Sequence, residues 1–211
     1  MFLYCKQKMS FMPLKLKKYY KKSFEIIRNN NRIIYFVSVI YFISLIIGII
    51  YHSNTYKGFS SDDAKEGWYK FYKFAFLKDN YFDNFMIIFP HNIIASLFRI
   101  ISGVLFAIFP IFNIIDGAIS DSYILVSTTT DKNFHLLLIG WLPHSLIETP
   151  AFILSSSLGV MIFLSLFKPK NKIQNIIEAY KDSLIILIFI ILPMLFFAAI
   201  LESVIIVNLW F

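Results

Sequence analysis

The sequence predicts an all-α fold, a polytopic transmembrane helix bundle of about five spans, and three observations predict it. Hydrophobic residues make up 58% of the 211 positions, above the roughly 45–50% of soluble domains, and the mean hydropathy is +0.68. The apolar residues also fall in long blocks. Residues 33–51 carry no charge, 84–115 carry only Arg99, 133–167 only Glu148 and 183–211 only Glu202. Each block reaches the roughly 20 residues that a helix needs to cross hydrocarbon. None of them shows the alternating segments of about 10 residues that mark a transmembrane barrel.

The chain divides into a basic segment, residues 1–31, and a multi-pass membrane domain, 32–211. Lys6, Lys8, Lys15, Lys17, Lys18, Lys21, Lys22, Arg28 and Arg32 face only Glu25 within the first 32 residues, a surplus larger than the whole-chain net charge of +7. A basic block just before the first apolar span marks a cytoplasmic N-terminus and favours anionic lipid headgroups as partners. Because the rest of the chain is close to neutral, this placement argues against nucleic acid as a partner. Within the segment, residues 10–30 read as an interfacial helix. Pro13 suits its first turn, and Met12, Leu16, Tyr19, Tyr20, Phe24 and Ile27 recur at helical spacing among lysines, which suits a helix lying in the headgroup plane. The apolar stretch that follows is too long for a cleaved signal peptide, and no small-x-small site comes after it. A single cysteine, Cys5, allows neither an internal disulfide nor a cysteine-based metal site.

The spans are expected near 32–51, 84–102, 103–127, 138–167 and 183–206. Between the first two, residues 52–82 form the largest outer segment, where Ser60 or Ser61 can cap a helix entering at Asp62. Lys168, Lys170, Lys172 and Lys181 make the loop at 168–182 cytoplasmic like the N-terminus, so an even number of crossings precedes it. The block 84–127 then supplies two of them, broken near Ser102–Gly103 or Pro110–Asn113, and the C-terminus lies outside. One span is broken or re-entrant on an alternative reading, with a half-helix ending at Leu142–Pro143.

Polar residues inside the apolar blocks carry the functional reading. Starting a helix at Pro143 places His144 and Glu148 one turn apart on one face, and that face continues through Ala151, Ser155 and Gly159. A second row runs Asn92, Ser96, Arg99, Gly103 and Ala107, and a third holds Ala198, Glu202 and Ser203. Small-residue rows let helix backbones approach closely, while a mid-membrane arginine costs at least about 2.5 kcal/mol without a partner. The rows are therefore expected to meet, gathering Asn92, Arg99, His144, Glu148 and Glu202 into a buried polar cluster in which Arg99 pairs with a glutamate. Gly103, Ala107, Ala151, Ser155, Gly159 and Ala198 are the expected helix-packing positions. Buried polar groups of this kind also serve simply as helix–helix glue.

Enzyme chemistry finds little support in these motifs. His144-x3-Glu148 lacks the second histidine of the zinc-protease pattern, and His52, His91 and His135 are scattered. No G-x-S-x-G elbow or glycine-rich phosphate loop occurs. The sequence therefore assigns no catalytic residue, no cofactor and no metal ligand.

The stretch "LPHSLIETPAFILSSSLGV" (142–160) resembles the signature of the stage II sporulation protein M family of integral membrane proteins, through Leu142, Pro143, His144, Glu148, Pro150, Ala151 and Gly159. Ser145 stands where the family usually has glycine. "FPHNIIASLFRIISGVL" is similar to the family's asparagine-containing segment through Asn92 and Gly103, and "FFAAILESVI" to its last span through Ala198 and Glu202. The resemblance covers roughly residues 83–206. It implies a non-catalytic scaffold or subunit of a cell-membrane complex with a membrane-protein partner, or a second copy of itself. The family's namesake belongs to a complex that positions cell-wall-degrading enzymes at the septal membrane during engulfment; the resemblance carries no implication of sporulation here. The alternatives are a permease component with a polar midplane site lined by Arg99, His144 and Glu148 and, third, an intramembrane hydrolase.

Overall fold

Hydrocarbon offers no hydrogen-bond partners, so each apolar block of this chain closes its backbone bonds within itself as a helix. The computed structural model describes residues 14–55, 78–130, 136–169 and 171–210, and these are helical almost throughout, with no strand among them. In chain order the helices are α1 (Leu14–Asn29), α2 (Asn31–Thr55), α3 (Tyr81–Ser102), α4 (Ile108–Thr130), α5 (Leu142–Ser165), α6 (Lys172–Ile186) and α7 (Leu192–Trp210). Wide π-helical turns at Leu136–Trp141 and Leu187–Ile191 lead into α5 and join α6 to α7. Five stretches are long and apolar enough to cross a membrane, ending with one that runs from Lys172 to Asn208. The multi-pass, all-helical architecture expected from the sequence is what the chain adopts. The outer segment's capped helix at Ser60 or Ser61, together with Met12, Pro13 and His135, lies outside the described residues.

Local chemistry explains the boundaries. Asn80 caps α3 by accepting a bond from the Phe82 N–H (2.8 Å), and the buried Asn84 side chain bonds both the N–H and the carbonyl of Lys78 (2.7 Å each). Asn171 caps α6 through the Ile173 N–H at 3.1 Å. Between α3 and α4 the chain leaves the helix over residues 103–107, and the Ile101 carbonyl at the helix end accepts both the Val104 N–H and the Tyr180 hydroxyl, each at 3.2 Å.

Three expectations need correction. Ala107 does not extend the small-residue row of α3, because the helix has ended by Ser102; it packs instead at the edge of the apolar cluster shared by α2, α4 and α5. Pro143 stands in the first turn of α5, as expected, but the chain does not enter that helix afresh there. It follows a π turn inside a continuous stretch from Leu137 to Ser165. Proline has no N–H and its ring crowds the carbonyl four residues back. For Pro143 and Pro193 those carbonyls belong to Ile139 and Phe189, and both lie within the widened turns. The segment at 168–182 is mostly the first turns of α6 rather than a loop. On it rests α1, with Lys22 3.0 Å from Asp182 and Tyr19 stacked on Phe189 at 5.1 Å between centroids. Ser23 and Ile26 are the buried side of α1, while Phe24 points outward.

The core is organised around α5, which packs against every other spanning helix: α2, α3, α4 and the α6–α7 rod. Closest of all is its crossing with the end of α3. A Cβ on Gly103 would stand 2.6 Å from the Gly159 Cα, and one on Gly159 would strike the Arg99 carbonyl oxygen and lie 3.1 Å from Pro110. A second tight crossing joins α2 and α4, where a Cβ on Gly48 would collide with Ser122. Gly103→Ala and Gly159→Ala should each therefore cost about 1–3 kcal/mol, the usual range for overpacking, seen as a lowered thermal midpoint in detergent. Gly117→Ala, where a Cβ meets nothing within 4 Å, should be neutral or should stabilise by up to about 1 kcal/mol through helix propensity.

Candidate functional site

The polar rows converge on the inner faces of α5 and α7. Helical spacing sets His144 and Glu148 one turn apart on α5, just beyond the π turn. Glu202 arrives from α7, one turn after Ala198, and Ala198 and Ala199 are both fully buried. One ligand-capable atom from each of His144, Glu148 and Glu202 lies within 4.8 Å of the other two. The imidazole is 7% exposed and the carboxylates are partly buried. The Gly140 carbonyl, one turn back, is near enough to act on the ring, yet the His144 Nδ1 completes no hydrogen bond.

Glu148 is the hub. Its charged neighbours are Glu202, then Asp121, then Arg99, so helices α3, α4, α5 and α7 all bring charge to one region. Asp121 is held from two sides. The Tyr41 hydroxyl of α2 donates to its Oδ2 at 2.7 Å, and the Trp141 indole is directed at the same carboxylate.

Arg99 is buried as expected, at 8% exposure, but it does not pair with a glutamate. Among the described residues no carboxylate oxygen comes within 4.0 Å of it, and its Nε and Nη1 have no hydrogen-bond partner. Instead its guanidinium carbon sits 4.1 Å from the centroid of the Phe152 ring, a cation–π contact whose strength rises when water is excluded. Glu148 and Asp116 act on it only through space. Asn92 is also buried, with its Nδ2 unpartnered, and no hydrogen bond joins it to the trio. Of the packing positions, Gly103 and Gly159 form the α3–α5 crossing, and Ala151, Ser155 and Ala198 are wholly enclosed.

The sequence reading missed Asp116 and Asp121. Both lie in "NIIDGAISDSYILV", within the span it had placed at 103–127, and two acids in a membrane segment were the available signal. Nothing in the sequence pointed to Tyr41 as a neighbour of Asp121, since that contact joins residues 80 positions apart in the chain. Three of the buried serines on α5 bond their own helix, while the Ser96 and Ser156 hydroxyls have no hydrogen-bond partner. Ser155, Ser157 and Ser165 each donate to a backbone carbonyl about one turn earlier, at 3.0, 2.7 and 2.6 Å.

A family model described as Stage II sporulation protein M matches residues 19–205 of the chain. No curated protein and no solved structure matches it.

The Arg99–Phe152 contact is open to direct measurement. In a double-mutant cycle of Arg99→Met and Phe152→Leu, thermal unfolding in detergent should give a coupling of about 1–2 kcal/mol. Additive effects would mean that the guanidinium gains nothing from the ring.

Proposed function

Since the chain belongs to the stage II sporulation protein M family, we propose that it is a non-catalytic subunit of a membrane complex, a scaffold that holds partner helices within the bilayer. The observation that supports this reading most is how the chain divides its surface. Most polar groups of the spans lie inside the bundle, with His91 and Asp116 on its outside; several buried serine hydroxyls bond backbone carbonyls of their own helix, and large apolar side chains from every span face outward. Outside the spans, the described residues offer a basic amphipathic helix clamped to the α6–α7 rod. Such a protein acts through what packs against it.

The first span is the face best placed for a partner. It is the least enclosed of the five, and Ile43, Ile46, Ile47 and Ile50 form an outward stripe at helical spacing, each more than half exposed. Close packing of branched side chains, rather than a hydrophobic driving force, selects protein over lipid on such a surface. After mild solubilisation the full chain should be recovered in a stoichiometric assembly with a second polypeptide or a second copy. Replacing Ile43, Ile46 and Ile50 together by alanine should dissolve that assembly while the thermal midpoint of the isolated chain stays within a few degrees. Recovery of the wild-type chain as a lone monomer from native membranes would overturn the proposal.

One observation favours a second reading, a permease component. His144, Glu148 and Glu202 meet in the interior, and polar sites of this kind line substrate paths in transporters. On that reading Glu148→Cys in a Cys5→Ser background reacts with a membrane-impermeant thiol reagent from one side; on the scaffold reading it stays unlabelled.

A further inference from the structure

The trio has a charge problem that its protein neighbours do not solve. Glu202 and Asp121 both act on Glu148, across α7, α4 and α5, and the cation that also acts on it is Arg99. That guanidinium is committed to the Phe152 ring and makes no ion pair. Asp121 accepts a hydrogen bond from Tyr41 and has the Trp141 indole beside it. Glu148 and Glu202, among the described residues, receive no hydrogen bond. Two like charges a few ångströms apart in a medium of low dielectric repel strongly, so this pair needs a positive charge between its members.

The donor set states what kind of charge. One imidazole nitrogen and two carboxylate oxygens are a recognised set for divalent first-row transition ions, and histidine–carboxylate combinations occur in zinc sites with three protein ligands and one open position. The ligand atoms lie within 4.8 Å of one another. Around an ion with bonds of about 2.0–2.1 Å they would stand roughly 3.3 Å apart. The difference is the scale of a side-chain adjustment, and its direction, inward once a cation draws the carboxylates together, is what the charges require. An independent observation points the same way. The His144 side chain is more than nine-tenths buried in this cluster, and although the Gly140 carbonyl lies near the ring, its Nδ1 completes no hydrogen bond. A buried imidazole left without a full set of partners is costly in a protein interior and well suited to a metal ion.

We propose that His144, Glu148 and Glu202 bind one divalent transition-metal ion, of the zinc or manganese type, which ties α5 to α7 inside the membrane. The site neutralises the glutamate pair and leaves a coordination position for water. It goes beyond the scaffold reading and does not depend on it, since an ion can clamp the bundle whether or not a partner is bound.

The test uses the full chain in detergent, stripped with a chelator and titrated with Zn²⁺ alone, then with Mn²⁺ alone, with bound metal counted by equilibrium dialysis and elemental analysis. The expected result is one ion per chain for at least one metal, with a thermal midpoint raised by several degrees on saturation. Glu148→Gln and Glu202→Gln should each weaken binding by more than about 100-fold, beyond the 10–100-fold of outer-shell changes. Absence of stoichiometric binding of either metal, which is the outcome if the two glutamates simply share a proton, overturns the proposal. So does unchanged affinity in both variants. Should the variants fail to fold, X-ray absorption on the loaded wild-type chain decides. A shell of light atoms at about 2.0–2.2 Å that includes one imidazole supports the site. A sulfur shell, which would place the metal on Cys5, or an all-oxygen shell rejects it.

Discussion

The bundle depends on keeping His144, Glu148 and Glu202 out of contact with acyl chains. An ionisable group exposed at the bilayer centre costs several kcal/mol, and this chain places two acids and an imidazole in one spot. Shielding them takes the inner faces of several helices at once, and so the arrangement of the whole molecule follows from it. The α5 helix, which carries two of the three groups, is the one that packs against all the other spans. The α7 helix presents Ala198 and Ala199, fully buried, beside Glu202, so that no bulky side chain holds it away from α5. The outward faces of α2 and α3 are left to isoleucine and phenylalanine, which lose nothing in hydrocarbon.

Close packing at the α3–α5 crossing is the mechanical half of the same arrangement. Gly103 and Gly159 meet backbone to backbone, and the carbonyl that Gly159 approaches is that of Arg99. This crossing therefore fixes the residue whose guanidinium reaches the Phe152 ring, one turn beyond Glu148 on α5. Arg99 is thus held near enough to Glu148 to act on its charge, but turned toward an aromatic face rather than into an ion pair. Breaking an ion pair buried in the membrane would strand both charges. A cation resting on a ring offsets acidic charge while leaving the glutamates available to something else.

Much of this was legible in the residues themselves. Uninterrupted apolar blocks gave five spans, and the spacing of His144, Glu148, Ala151, Ser155 and Gly159 placed them on one face. The small residues around Glu202 and Arg99 marked the helix faces that turn inward. What the residues did not reveal depends on three-dimensional closure. A lone arginine among two lone glutamates reads as an ion pair on charge alone, whereas the contact with Phe152 follows from the close approach of α3 to α5 at Gly159, which no spacing encodes. Ala107 fits a periodic row only if the helix continues, and it stops at Ser102. Asp121 was visible as an acid in a span, but its role as a third charge near Glu148 follows from α4 lying against α5.

The two π turns show how proline serves the same end. Each precedes a Leu-Pro pair, Leu142–Pro143 and Leu192–Pro193, and each includes the residue four positions before its proline. A regular helix would set the proline ring against that carbonyl; a turn with one extra residue relieves the crowding and rotates everything downstream. In α5 the residue next after the proline is His144, so the rotation decides where the imidazole points. In α7 the turn lies some three helical turns before Glu202 and sets the face on which that carboxylate arrives. Helices of uniform pitch bearing the same residues would carry a phase error of roughly 100° per extra residue, enough to turn one member of the trio toward lipid. The prolines and the buried acids are therefore parts of one device: the widened turns supply the rotation by which helices that bring in their polar groups separately present them to each other.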